Sequence, residues 1–431
     1  MENITISENG RYLKRKNEKF FYLADTCWSV FTNATMEEWE EYLIYRKMQG
    51  FNVLQINILP QWDASESDLQ IYPYKLNSDG SFDFNCRNIE YFNRAEKMLE
   101  MAVERGFIPA LVLLWCNYVP DTWANKFMEN NKMPYEHVEP YVEYAAQKFS
   151  KFNPIWIISG DTNFPTELSI KYYETALNKI KELCPKLLTT LHIQGRLVDI
   201  PEQLMNNKNL DFYVYQSGHN NDYRHMAYEM AEDFYNKDIT RPVINLEPCY
   251  EQMGFSRKQY GRFTRFDVRK AAWQSLLAGA NAGITYGAHG IWSWHKRGKK
   301  FGFYAGEGFD YPYDWREALR FEGAWDYAYA KWFFEAHDLM IAEPLDIVKN
   351  ETREIRALGK LDLSVIAVYV PVNTTIKLSI NLNNYDLKII DLEYKKIALP
   401  KVSFYKDETI IEMHKFNEDV LIIAEKSILT T

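Results

Sequence analysis

Between residues 20 and 288 short apolar runs alternate with longer stretches whose apolar residues recur at helical spacing. The runs Phe20–Ala24, Asn52–Ile58, Ile108–Trp115, Ile155–Ser159, Leu188–Ile193, Phe212–Gln216, Val243–Leu246 and Gly283–Tyr286 are almost continuously apolar. Parallel strands covered on both faces read in this way. Thr35 is followed three residues later by Glu38, a capping box that starts a helix, and Gly50 closes it. Pro140–Lys151, Leu168–Leu183, Asp222–Tyr235 and Phe266–Gly279 supply further helices. Eight apolar strands alternating with helices predict a (β/α)8 TIM barrel rather than a doubly wound sheet.

After an aromatic-rich helix near Trp315–His337 the period changes. Alternating segments at Ser364–Val370, Ile376–Ile380, Leu387–Asp391, Val402–Tyr405, Ile410–Glu412 and Val420–Glu425 are separated by polar turns such as Asn381-Leu-Asn-Asn384. They predict a small antiparallel β-sandwich. The chain thus divides into a barrel over residues 1–340 and a C-terminal β-sandwich domain over 341–431.

Composition narrows the function. Net charge is −9, with 50 Lys and Arg against 59 Asp and Glu, and no basic block occurs. Neither nucleic acid nor an anionic membrane is the expected partner. Aromatic residues reach 16%, with 12 Trp, 30 Tyr and 25 Phe; flat rings serve both a core and the faces of sugars. The five cysteines are dispersed, with no C-x-x-C and no Cys/His cluster at zinc spacing. Neither a disulfide framework nor a structural metal is expected. Met1–Phe20 lacks a signal-like apolar core, and with reduced thiols this points to a cytoplasmic setting.

Catalytic groups in such barrels sit at the carboxyl ends of strands. Those positions hold Asp25, Asn57, Trp115 with Asn117, Asp161, His192, Gln216 with His219, Glu247, and Tyr286 with His289. Two carboxylates stand out. Ile155-Trp-Ile-Ile-Ser-Gly-Asp161 runs an apolar strand into a glycine and a carboxylate, and Val243-Ile-Asn-Leu-Glu247 does the same three strands later. Strands four and seven face each other across the barrel mouth. Two carboxylates over a cleft are what glycosidic hydrolysis needs: one protonates the leaving oxygen, and the other attacks the anomeric carbon or activates water. The competing reading makes Asp161 a loop cap and Glu247 the partner of an arginine.

The remaining strand-end groups are candidates for substrate binding, together with Trp28 and the pair Trp292 and Trp294, a stacking platform just past strand eight. Asp25 reads equally as a ligand for two sugar hydroxyls or as a buried partner of an arginine. His192 and His219 either donate to sugar hydroxyls or orient Glu247. The histidines 192, 289 and 295 form no compact metal motif, so no metal and no cofactor is expected. Phe301-Gly-Phe-Tyr-Ala-Gly-Glu-Gly308 lacks the GK[ST] of a phosphate loop and reads as a rim loop.

Gly10-Arg-Tyr-Leu, Phe21-Tyr-Leu-Ala-Asp-Thr-Cys-Trp28 and Gly50-Phe-Asn-Val-Leu-Gln55 resemble the opening of the apiosidase-like glycoside hydrolases, family 140 and its relatives. Gly160-Asp161, Asn245-Leu-Glu247 and Gly287-Ala-His-Gly-Ile-Trp292 continue the resemblance, which covers roughly residues 8–340. The tail resembles that family's small C-terminal β-domain, of a kind labelled collagen-binding. The resemblance implies a (β/α)8 barrel with Asp161 as acid/base and Glu247 as nucleophile. Strand four ends here in Gly-Asp rather than the Asn-Glu of related clans, which weakens a family 5 cellulase assignment. The leading expectation is a glycoside hydrolase acting on a plant-type or other glycan by a retaining, two-carboxylate mechanism. The alternatives are a cellulase- or mannanase-like endo-hydrolase and a non-catalytic carbohydrate-binding barrel.

Overall fold

In the computed structural model, which describes residues 3–128, 131–301 and 311–427, the eight apolar runs form one parallel sheet. Its strands are β1 (Tyr22–Thr26), β2 (Val53–Asn57), β3 (Ile108–Trp115), β4 (Ile155–Gly160), β5 (Thr189–Thr190), β6 (Tyr213–Tyr215), β7 (Val243–Asn245) and β8 (Gly283–Tyr286). Every residue in them is buried, as strands enclosed between a packed interior and a ring of helices require. Hydrogen-bonded pairing runs from β5 back to β1, then through β8 and β7 to β6. The seam between β5 and β6 is joined by the Asp211 N–H to the Thr189 carbonyl at 3.1 Å and by the Thr190 hydroxyl to the Phe212 carbonyl at 2.8 Å. The fold is the (β/α)8 barrel with antiparallel sheets at its C-terminus.

The Thr35–Glu38 capping box is formed in both directions and starts the helix Met36–Met48. The helices Val138–Phe149, Glu167–Leu183, Met226–Tyr235 and Arg265–Leu277 lie where the periodicity places them. The helix Ile89–Glu104 was not singled out, although Asn88 caps it and one face is apolar. The first strand begins at Tyr22 rather than Phe20. Lys16 and Asn17, with φ of 54° and 63°, turn the preceding segment into a hairpin, and Phe20 ends its strand. The rim segment proposed for 301–308 falls largely on residues 302–310, outside the described residues.

At the C-terminus a six-stranded antiparallel sheet is built on Arg356–Gly359, Val365–Val370, Val420–Lys426 and Tyr385–Asp391, with short edge strands. A three-stranded sheet of Ile376–Leu378, Glu408–Ile411 and Val402–Tyr405 faces it. Val365–Val370 is apolar on both faces for a visible reason. Ile366, Val368 and Val370 pack with Ile376, Leu378 and Ile411 of the smaller sheet, while Ala367 and Tyr369 join the barrel core. The Tyr369 ring stacks on Trp273 of the barrel helix Arg265–Leu277, with 6.5 Å between centroids.

A buried ion pair crosses the same contact. Asp419, fully buried, accepts from Arg269 Nη2 at 2.5 Å and from the Tyr369 hydroxyl at 3.0 Å. Asp326 meets Arg269 at 3.2 Å and Lys395 at 2.6 Å. Removing one partner of such a pair strands a buried charge. Asp419→Ala is therefore expected to cost about 3–5 kcal/mol in denaturant unfolding, and a cost below about 1 kcal/mol would show that the pair is solvated in solution.

Candidate active site

The carboxyl ends of the strands and their loops form a cleft open to solvent. Both strand-end carboxylates line it, and local sequence explains each position. β4 ends in Gly160 because Trp115, at the end of β3, lies against its Cα: a Cβ there would sit 2.1 Å from the indole. The chain then turns sharply through Asp161, whose φ of 47° is left-handed and unusual for a non-glycine residue. Two hydrogen bonds hold that turn. The Asp161 N–H donates to His192 Nδ1 at 2.9 Å, and the Asp161 carbonyl accepts from Trp123 Nε1 at 2.7 Å.

Glu247 follows β7, where the Asn245 side-chain amide is bonded to the hydroxyls of Ser217 and Ser275. Its carboxylate is the focus of the site. His192 Nε2 meets Oε2 at 2.8 Å; His219 Nε2 meets Oε1 at 2.9 Å, and Gln216 Nε2 donates to Oε1 at 3.2 Å. His192 Nδ1 is committed as an acceptor to the Asp161 amide, so the ring proton lies on Nε2 and is donated to Glu247. Burial alone would raise the Glu247 carboxyl, but the hydrogen bonds from His192 and His219 prevail and hold it at about 2. Tyr250 stands beside it with its hydroxyl accepting from Trp28 Nε1 at 3.1 Å; burial and then the Glu247 charge push that phenol well above its ordinary value.

The cleft gathers Trp28, Trp115, Asp161, Gln216, His219, Glu247 and Trp292 from among the strand-end candidates. His192 lies just beneath, fully buried, with both ring nitrogens engaged by protein groups, so it is not placed to meet a sugar hydroxyl. Six others do not reach the wall. Asp25 faces the helix Met36–Met48 and pairs with Arg46 Nε at 2.6 Å and the Tyr42 hydroxyl at 2.7 Å, the arginine-partner reading of that residue. Asn57 donates to Gln61 Oε1 at 2.7 Å and so braces a residue that does line the cleft. Asn117 is buried in a 3-10 turn, where its carbonyl accepts from Asn125. The Tyr286 hydroxyl turns outward to Glu251 Oε2 at 2.5 Å. His289 is buried against Trp292 and Phe301. Trp294 is stacked on Trp315 at 4.7 Å, and its left-handed backbone takes it away from Trp292. Asp25 and Tyr286 leave their strands toward the helices, and strand-end position alone does not reveal that direction.

Other residues on the wall had not been singled out: Trp62, Asp63, Trp123, Arg196, Asn220 and Tyr250. They lie in loops after β2, β3, β5, β6 and β7, several residues past the strand ends. A cluster of aromatic residues inside long βα loops was the available signal. Among the described residues, no group of three or more His, Cys, Asp or Glu side chains is placed to hold a metal ion, and no helix is long and apolar enough to cross a membrane.

Comparison with known proteins agrees with this architecture. The family model described as "Apiosidase-like, catalytic domain" matches residues 7–340. Among solved structures, one described as a glycoside hydrolase superposes with a TM-score of 0.78 at 22% identity, covering 99% of this chain and 97% of the other. A glycoside hydrolase family 5 protein from Bacteroides vulgatus ATCC 8482 gives 0.81 at 21% identity, with 98% and 94% covered. A noncanonic maltogenic α-amylase from Thermotoga neapolitana gives 0.57 at 10% identity, with 94% and 98% covered. At these identities the superpositions speak to fold alone. No curated protein matches the sequence. The family match over most of the chain places this protein in the apiosidase-like family of glycoside hydrolases.

Proposed function

We propose that this glycoside hydrolase cleaves its substrate by a retaining double displacement, with Glu247 as nucleophile and Asp161 as acid/base. The observation that carries this reading is the environment of Glu247. A general base works best with a pKa near the operating pH. A carboxylate held at about 2 by its hydrogen bonds to His192 and His219 is a poor base toward water, but it is fully ionised for attack on an anomeric carbon. It is also a good leaving group when the glycosyl ester is later hydrolysed.

In the first step Glu247 forms a bond to the anomeric carbon while the glycosidic C–O bond breaks and Asp161 gives its proton to the departing oxygen. In the second step Asp161, now ionised, takes a proton from water. The water oxygen bonds to the anomeric carbon and Glu247 is released. The carboxylate pair carries both steps. The family's name makes a plant glycan carrying a branched terminal sugar such as apiose the first substrate to try.

Hydrolysis of a panel of plant polysaccharides, with released sugars identified, tests the substrate assignment. Following the first-formed anomer by NMR before mutarotation tests the mechanism. Retained configuration is the expected result; an inverted first product would recast Glu247 as a base acting through water.

A further inference from the structure

The cleft is lined differently on its two sides. Around Glu247 it mixes polar Gln216, His219 and Asn220 with Trp28 and Tyr250. Beside Asp161 it is aromatic. Trp62 and Trp123 line the cleft, and Trp62 meets Trp123 edge-on with centroids 5.6 Å apart. Trp62 is also stacked on Phe127 at 5.1 Å, and Phe127 is 43% exposed. The three rings belong to two different loops, one after β2 and one after β3, so the cluster is a tertiary feature.

Trp123 ties this wall to the chemistry. Its Nε1–H donates to the Asp161 carbonyl at 2.7 Å, so the aromatic cluster is fastened to the turn that presents the acid. An acid that protonates a glycosidic oxygen must reach the bond from the side of the departing group, because the nucleophile occupies the opposite side of the anomeric carbon. Whatever leaves therefore lies against the Asp161 side of the cleft. Half-exposed indoles offer flat apolar faces at low conformational cost, and the C–H faces of a sugar ring match them.

From this we infer that Trp62, Trp123 and Phe127 form the leaving-group subsite and that it takes a carbohydrate ring by stacking. The inference rests on Asp161 being the acid, and it assigns direction to the cleft: the released sugar sits over Trp28, Trp115 and Glu247, and the remainder of the glycan extends along Trp62 and Phe127. The enzyme then selects glycosides whose bond is to another sugar over those with small leaving groups.

The test compares two substrates that share one glycone: the plant glycan that the wild type cleaves, and the fluoride of the sugar it releases. Fluoride is too small to fill the subsite and departs without protonation. Trp62→Ala and Phe127→Ala are the variants, since neither ring bonds the Asp161 turn. Trp62→Ala is expected to lower kcat/KM on the glycan about 10- to 100-fold while changing the fluoride less than about threefold, with Phe127→Ala a weaker version of the same split. Equal losses on both substrates, or no loss on either, would overturn the assignment. Asp161→Asn on the same pair separates this from failure of the underlying reading. If Asp161 is the acid, that variant releases fluoride in a burst far faster than it cleaves the glycan; equal damage to both would refute the acid role and the subsite with it.

Discussion

Glu247→Gln is expected to lower turnover by more than about 10⁴-fold while leaving the barrel folded, because in the proposed mechanism it removes the nucleophile. Asp161→Asn should cost about 10²–10⁴-fold, the span of general acid assistance. The two losses will not add, since both groups serve one reaction coordinate. Glu247→Gln also changes the pH dependence of stability in a way that a bystander would not. The folded-state carboxyl is held at about 2, below its ordinary value, so its contribution is fully present above the ordinary carboxylate range and is lost as pH falls toward 2. The wild type should therefore lose stability over that acid window more steeply than Glu247→Gln. Near-wild-type turnover in Glu247→Gln, on a substrate the wild type cleaves, would end the assignment.

His192 is expected to give the second large effect although it touches no substrate in this arrangement. It spans the two proposed catalytic positions, accepting from the Asp161 amide at 2.9 Å and donating to Glu247 Oε2 at 2.8 Å. His192→Ala leaves a buried amide N–H without its acceptor at a left-handed residue and takes one donor from the carboxylate. An orphaned buried donor costs about 1–3 kcal/mol, and here the cost falls on the turn that positions the acid. A loss in kcat of about 10²–10³-fold with little change in KM is expected, as for other groups that orient rather than bind. Losing a donor to the charged form raises the Glu247 carboxyl, so the acidic limb of the pH–rate profile should move to higher pH. His192→Gln should restore part of both, since a side-chain amide offers an acceptor and a donor about as far apart as the two ring nitrogens. A variant that lost activity with an unmoved acidic limb, and no rescue by Gln, would show that His192 serves only packing against Trp28 and Trp115.

The loops explain most of what the strand pattern did not reveal about the site. Trp62 and Trp123 come together from segments 61 positions apart in the chain, brought side by side by the parallel pairing of β2 with β3. Asp25 and Tyr286 illustrate the opposite error. Both sit at strand ends, yet both face outward to Arg46 and Glu251, because the pleat sends alternate side chains to the interior and to the helices. For an aspartate beside a barrel mouth, the deciding fact was an arginine one helix later whose charge needed burying with a partner.

What the sequence determined by itself was the barrel, through eight apolar runs that only a doubly covered parallel sheet satisfies, and the two carboxylates, because each ends such a run. The antiparallel character of the C-terminal segment was equally legible from its period of two. Tertiary structure alone decided which side chains share the cleft, how three N–H donors converge on Glu247, and why Val365–Val370 is apolar on both faces. The physical reason is one of range. Burial pattern is set by neighbours along one strand, whereas the charge state of Glu247 depends on groups from the segments after β5 and β6, which meet it only when the sheet closes.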